Sequence, residues 1–408
     1  MRYATFSTLA SAALGLAACG DGTAPIVDLP RELTVAEGKL VAADNRFAFK
    51  LFREVAAQEP SEANVLISPL SVGMALGMAY NGAAGSTRDS MQATLELQGM
   101  SLEEVNEAYQ SLIELLRDLD PTVQFILANS VWHRQEIPVV AAFLENMRSS
   151  FDADVTAMDF AAPGAADVIN GWVRDHTGGR IDEIVTPPID PLTIMFLINA
   201  IYFKGTWTTE FDPDDTRDAD FYRIDGSTST VRMMAQEQTP VWTFTGSDVT
   251  VAELSYGGGA WAMTVAYPHD PTAITTLASQ LTEEQWSSWI AALDSTAMSV
   301  SMPKYTLEYE IELSDVLGAL GMAIAFQPYE ADFGNLVAAE DAHIDAVKHK
   351  TFMAVDEEGT EAAAVTSVEI GVTSMPPSIR VDRPFIVAIR ERLSGSILFL
   401  GRIVDPRD

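Results

Sequence analysis

The chain has 408 residues, 48% of them hydrophobic, with 58 acidic against 25 basic side chains and a formal net charge of −33. This apolar content is ample for a large buried core, and the charge excludes nucleic acid and anionic membrane surfaces as partners because both would repel it. A saline habitat and plain solubility each account for such an acid excess, and composition does not choose between them.

The opening is short of charge apart from Arg2, apolar from Leu9 to Ala18, and ends Leu16-Ala17-Ala18-Cys19. It reads as an export signal over residues 1–18. It resembles a bacterial lipoprotein signal, in which Cys19, the sole cysteine, is lipidated and becomes the new N-terminus. An ordinary signal cleaved nearby, with Cys19 incidental, is the other reading. Gly20 rather than Asp after Cys19 favours the outer membrane. Residues 19–33 then read as a flexible tether. Residues 34–408 read as one domain, since no internal repeat and no Gly/Ser- or Pro-rich break follows residue 34. With Cys19 committed to lipid, that domain is held without a disulfide. The expected address is the cell envelope, or the extracellular space if the anchor is absent, with membrane contact only through Cys19.

Leu40, Phe47, Leu51 and Val55 recur at helical spacing and predict a helix over residues 34–56. Ser71 to Tyr80 reads as a small-residue helix stopped by Asn81-Gly82. Leu102 to Leu119 reads as an amphipathic helix with Leu112, Leu115, Leu116 and Leu119 on one side. Phe125 to Trp132 and Thr193 to Phe203 are continuous in apolar residues, as buried strands are. Ser299 to Glu312 alternates as an extended strand pair. Ser314 to Gly321 predicts a short helix with Ser314 as its cap and Asp315 in its first turn. Gly205 and Gly334 read as tight backbone turns. Helices and long strands without a βαβ rhythm indicate an α+β fold.

Near the C-terminus the pattern changes. Phe352, Met353, Ala354 and Val355 are apolar, and a run of small residues follows until Met375-Pro376-Pro377. Counted in twos from Thr360, one face carries Thr360, Ala362, Ala364, Thr366, Val368 and Ile370. The other carries Glu361, Ala363, Val365, Ser367, Glu369 and Gly371, so both charges fall on one side. A strand with one buried face alternates in this way. An edge strand, a linker, and a segment exposed in one state but packed in a sheet in another all fit.

Four blocks carry a resemblance: Asn64 to Thr87, Leu197 to Phe211, Val355 to Ala363, and Asp382-Arg-Pro-Phe385 followed by Ile397 to Pro406. In sequence and in order they resemble the serpins, the serine protease inhibitor family, over residues 34–408. The resemblance implies a serpin fold of three β-sheets and about nine helices, with an exposed reactive loop at about residues 358–380. It implies a suicide substrate. A serine protease cleaves the loop and is held as an acyl-enzyme, and the freed loop enters the main sheet as a new strand before the ester hydrolyses. Cysteine proteases also form acyl-enzymes and are further candidate partners. A non-inhibitory serpin acting as a binding or chaperone-like module is the alternative, and an exported protein that proteases merely cut is a third.

The resemblance also assigns residues. The hinge is Gly359, Thr360, Glu361, Ala362, Ala363 and Ala364, and its inward face is small and uncharged, as burial between strands requires. Ser68, Ser71, Asn199 and His349 match the polar shutter under the central strands. Trp207 and a Lys304–Glu357 pair match the breach where the loop enters. The loop from Glu357 to Phe385 has the length usual for inhibitory members, which places the reactive bond between Thr373 and Ser374, with Val372 the rival. Pro376 hinders cleavage after Met375, and no Lys or Arg lies between Lys350 and Arg380, which argues against a trypsin-like target. Val372 and Thr373 suit elastase-like or subtilisin-like proteases.

The stretch that binds heparin-like activators in some members, here Leu95 to Asp120, carries Glu96, Glu103, Glu104, Glu107, Glu114, Asp118 and Asp120 against Arg117 alone. No such activator is expected, and the protein is expected to be a monomer. No catalytic residue, metal or cofactor is expected either. The chain lacks Gly-x-Ser-x-Gly and His-Glu-x-x-His. Asp332-Phe333-Gly334 lacks every companion motif of a kinase, and Asp212-Pro-Asp-Asp215 reads as a solvated turn rather than a Ca²⁺ loop.

Overall fold

The structure, a computed structural model, describes residues 25–360 and 377–407. The first helix, Val35–Gln58, begins at a capping box, in which Thr34 accepts the Glu37 amide and Glu37 accepts that of Thr34. Ser101 and Glu104 start the helix Leu102–Arg117 in the same way. Pro69 opens the helix Pro69–Gly82, where its fixed φ and missing N–H do no harm. Nine α-helices occur among the described residues.

A six-stranded sheet has the order Tyr305–Glu312, Lys348–Val355, Gly359–Thr360, Met195–Thr206, Val123–Arg134, Ala153–Met158. The helix Pro69–Gly82 packs on one face, where Ser71 bonds to Asn199. The helix Ala165–His176 covers the other, where Ile169 and Val173 share a cluster with Trp132 and Ile198. Consecutive residues Ile198 and Asn199 thus serve opposite faces, as the two-residue period of a strand requires.

The remaining strands form one nine-stranded ladder. Its long strands Thr228–Thr245 and Asp294–Pro303 pair throughout, with a register break between Gln236 and Thr239. On one side of the break lie Arg217–Tyr222 and Ser378–Arg380; on the other lie Val249–Tyr256, Trp261–Pro268, Phe385–Glu391, Ile397–Ile403 and Val65–Ile67. The two sheets that would complete a set of three are therefore joined by shared strands.

Three local readings change. The extended stretch Ser299 to Glu312 is not a hairpin: Asp294–Pro303 belongs to the nine-stranded ladder and Tyr305–Glu312 to the six-stranded sheet, with Lys304 at the crossing. Ser314 is the first residue of the helix Ser314–Leu317 rather than its cap. Its backbone amide is taken by the Glu312 carboxylate at 3.0 Å, so the acid before it caps the helix instead. Gly205 lies inside the strand Met195–Thr206, where a Cβ would stand 2.9 Å from the rings of Phe203 and Tyr256. It serves close approach, whereas Gly334 does sit in a turn, its amide held by Asp332.

The described part of the stretch read as a tether lies against the body. Ile26 donates its amide to Gly258 O at 2.7 Å. Arg31 forks onto buried Glu37 and reaches Ser111 Oγ at 2.7 Å.

Candidate functional site: a sheet open below its hinge

The short strand Gly359–Thr360 sits between two longer ones. Thr360 is opposite Val355 on one side and Gly205 on the other, and Gly359 is opposite Thr206. A Cβ on Gly359 would run into the Gly205 carbonyl oxygen and stand 2.8 Å from Thr206 Cα, so only glycine fits here. Below Thr360, among the described residues, no strand register links Lys348–Ala354 to Met195–Lys204. A cavity of about 680 Å³ runs there. Ser71 and Leu76 line it from one face of the sheet and Val173 and Ile184 from the other, while His349, Met353, Asn199 and Phe203 form its walls.

The four residues matched to a shutter meet at this slot. Ser68 donates its amide to His349 Nε2 at 2.9 Å and its hydroxyl to Leu398 O at 2.7 Å. Ser71 donates to Asn199 O at 3.3 Å. His349 is buried, and desolvation lowers it to about 4, so near neutrality it is an uncharged acceptor. The Asn199 side chain donates to Asn129 Oδ1 at 2.8 Å across the ladder, and Asn129 donates to Phe151 O at 2.7 Å. Asn199 Oδ1 is buried without a partner among the described residues.

The residues matched to a breach assemble at the upper end. Lys304 Nζ and Glu357 Oε2 are 2.6 Å apart, and Thr216 donates to Glu357 Oε1 at 2.8 Å. Burial opposes ionisation of Glu357, but these two hydrogen bonds outweigh it and leave the carboxyl below its ordinary range. Trp207 donates its indole N–H to Asp356 O at 2.9 Å and its amide to Glu358 O at 2.8 Å. Asp356 in turn holds the amides of Glu358 and Gly359. Glu361 to Ala364, Val372, Thr373, Ser374 and Cys19 lie outside the described residues.

A family model described as serpin (serine protease inhibitor) matches residues 42–406. The chain belongs to the serpin family. The bovine leukocyte elastase inhibitor is 34% identical to this serpin over 380 residues, 90% of this chain and 100% of that protein. Human thyroxine-binding globulin complexed with thyroxine superposes with a TM-score of 0.82 at 28% identity, covering 92% of this chain and 100% of the other. The thermophilic serpin tengpin in its native state gives 0.82 at 28% identity, covering 94% and 97%. Serpins are inhibitors of serine proteases rather than catalysts, and this serpin shares that family character and fold.

Sequence reading missed Tyr256, Thr216 and Asn129. Tyr256 stacks on Trp207 with centroids 4.4 Å apart and meets the Thr360 hydroxyl at 2.7 Å. Tyr256 and Asn129 belong to strands whose pattern reads as ordinary core or ladder, and Thr216 ends a short 3-10 turn, so no local signal marks them. Asp212 caps a short 3-10 turn at Pro213–Asp215, the geometry of a solvated turn.

Proposed function

We propose that this serpin inhibits serine proteases as a suicide substrate, with the loop cut between Thr373 and Ser374 and then inserted below Thr360. One observation carries the reading: the hinge already stands in the sheet as Gly359–Thr360, above a slot whose walls share no register among the described residues. Continuing that register in steps of two would set Ala362, Ala364 and Thr366 opposite Met353, Thr351 and His349 on one side. On the other they would face Phe203, Ile201 and Asn199, the last with its unpartnered oxygen. The side chains that would enter are small and uncharged, so insertion buries no unpaired charge. Each new backbone hydrogen bond would contribute about 1 kcal/mol, and one strand supplies many.

The absence of Lys and Arg between Lys350 and Arg380 supports an elastase-like or subtilisin-like target. The leader supports export over residues 1–18, lipid attachment at Cys19 and action at the cell envelope. A reading as a binding module draws on the thyroxine complex of its structural relative.

The test mixes the domain, residues 25–408, with an elastase-like and a subtilisin-like protease. A covalent complex stable to denaturing electrophoresis, with a released peptide beginning at Ser374, is expected. Clean cleavage with no complex and no gain in heat resistance would leave a serpin fold put to another use.

A further inference from the structure

A carboxyl group stands behind the shutter helix with no cation bonded to it among the described residues. Asp44 projects from the helix Val35–Gln58, and its Oδ1 lies 3.1 Å from the hydroxyl of Tyr109 on the helix Leu102–Arg117. The same hydroxyl lies 3.4 Å from the carbonyl oxygen of Gly73, in the helix Pro69–Gly82 that carries Ser71 to the slot. Asp44 Oδ2 is sealed from solvent and has no hydrogen-bond partner among the described residues.

The surroundings are apolar. The helix Pro69–Gly82 contains no charged residue, and its only ionisable group, Tyr80, makes no bond to Asp44. From the helix Ala141–Phe151, the Phe151 ring packs 5.4 Å from that of Tyr109. Along its own helix, Arg46 and Lys50 are both bound to Glu96, Lys39 is exposed and forms no bond with Asp44, and Arg31 is bound to Glu37. On the helix Leu102–Arg117, Glu103, Glu104, Glu107, Glu114 and Arg117 form no bond or ion pair with Asp44, and Arg117 is paired with Asp152.

Counting hydrogens decides the protonation state that fits. A phenol has one hydrogen, and here it has two acceptors in reach. An ionised Asp44 would claim that hydrogen, leave Gly73 O without it, and keep one charged oxygen bare in an apolar site, which is costly. A neutral Asp44 donates its own O–H to Tyr109, and the phenol hydrogen passes to Gly73 O. One chain of bonds then joins three helices.

We propose that Asp44 is a proton-held clasp on the shutter helix: neutral, it ties the three helices together, and its ionisation loosens the floor under the slot. Measured against Asp44→Asn, the uncleaved parent is then less resistant to heat, and to unprompted sheet opening, in alkaline than in mildly acidic medium. The second consequence rests on the insertion reading above; the first does not. Burial raises the Asp44 carboxyl to about 7 from 3.8, against the opposing hydrogen bond from Tyr109. A raised acid stabilises fully below its unfolded value and loses that contribution as pH climbs through the folded one, here between about 4 and about 7. His349 works in the opposite sense, its contribution being lost as pH falls from about 6.5 to about 4; it is common to the parent and Asp44→Asn and so cancels in their difference.

The experiment compares the melting temperature of the parent with that of Asp44→Asn from about pH 5 to about pH 8.5. The variant's advantage is expected to grow by a few degrees from the acid to the alkaline end. A difference that is constant with pH, or that turns against the variant in alkali, overturns the clasp. Should Asp44→Asn fail to fold, hydrogen exchange of parent peptides covering 69–82 decides the matter. Their protection factors are expected to fall several-fold between about pH 6 and about pH 8, and unchanged protection overturns the proposal. Melting of the loop-cleaved parent separates the two readings. A pH-dependent advantage with no gain on cleavage keeps the clasp and removes insertion; the converse removes the clasp alone.

Discussion

The hydroxyls of Tyr256 and Thr360 meet at 2.7 Å, and the tyrosine ring lies nearly parallel to Trp207, at 12°. The Thr360 side chain is therefore anchored to the nine-stranded ladder. Tyr256 is fully buried and its hydroxyl bonds to Thr360, so the pair fixes the short strand Gly359–Thr360 in place.

Tyr256→Phe should cost about 1 kcal/mol, the net worth of one buried hydrogen bond. Tyr256→Ala should cost about 3–5 kcal/mol, because it also leaves a cavity beside Trp207. Urea unfolding of both variants measures the two values. Equal losses would show that the hydroxyl and not the ring carries the anchor.

Gly359→Ala should drive the hinge out of the sheet, since the added methyl collides with the Gly205 carbonyl oxygen. The expected result is slower insertion, with more protease turning over the variant as substrate than is trapped. The ratio of complex to cleaved product on a denaturing gel reads this directly, and an unchanged ratio would mean that insertion does not begin at Gly359.

The Lys304–Glu357 pair should matter little to global stability, because Lys304 is 45% exposed although Glu357 is 10% exposed. Solvent screening limits it to about 1 kcal/mol or less. Glu357 has a lowered folded-state pKa, so its contribution is present above the ordinary carboxylate range and is lost as pH falls through the lower folded value. Comparing Glu357→Gln with the parent across acid pH should show the gap closing as the solution becomes more acid.

His349 should supply part of the acid limb of stability. Its folded value of about 4 lies below the ordinary 6.5, so the unfolded chain takes up the proton first. Stability is lost as pH falls from about 6.5 to about 4 and levels off below, by about 3 kcal/mol at most. His349→Gln, which keeps an acceptor for the Ser68 amide, should flatten that limb in denaturant titrations. An unchanged acid limb would mean that His349 is not the group responsible.

Much of the fold could be read from residue order because its signals are local. Leu40, Phe47 and Leu51 recur on one helical face, and the long apolar runs before Trp132 and Phe203 fit only buried strands. The limits of local signal show at Ser299 to Glu312. Alternation announces two strands there, yet says nothing of which sheet each joins, and they part at Lys304. Ser314 shows the same limit at smaller scale, since a capping serine and a serine following a capping glutamate differ only in where Glu312 turns its carboxylate.

By itself the order of residues determined four of the helices, the strands ending near Trp132 and Phe203, the family and the small uncharged inward face of the segment after Gly359, since periodicity and volume are properties of the chain alone. Only the tertiary structure decided that Tyr256 reaches Thr360, that Asp44 and Tyr109 meet behind Gly73, and that among the described residues no register joins the strands of His349 and Asn199. Those contacts join residues far apart in sequence. Their partners are chosen by packing of whole elements, and no short-range pattern encodes that choice.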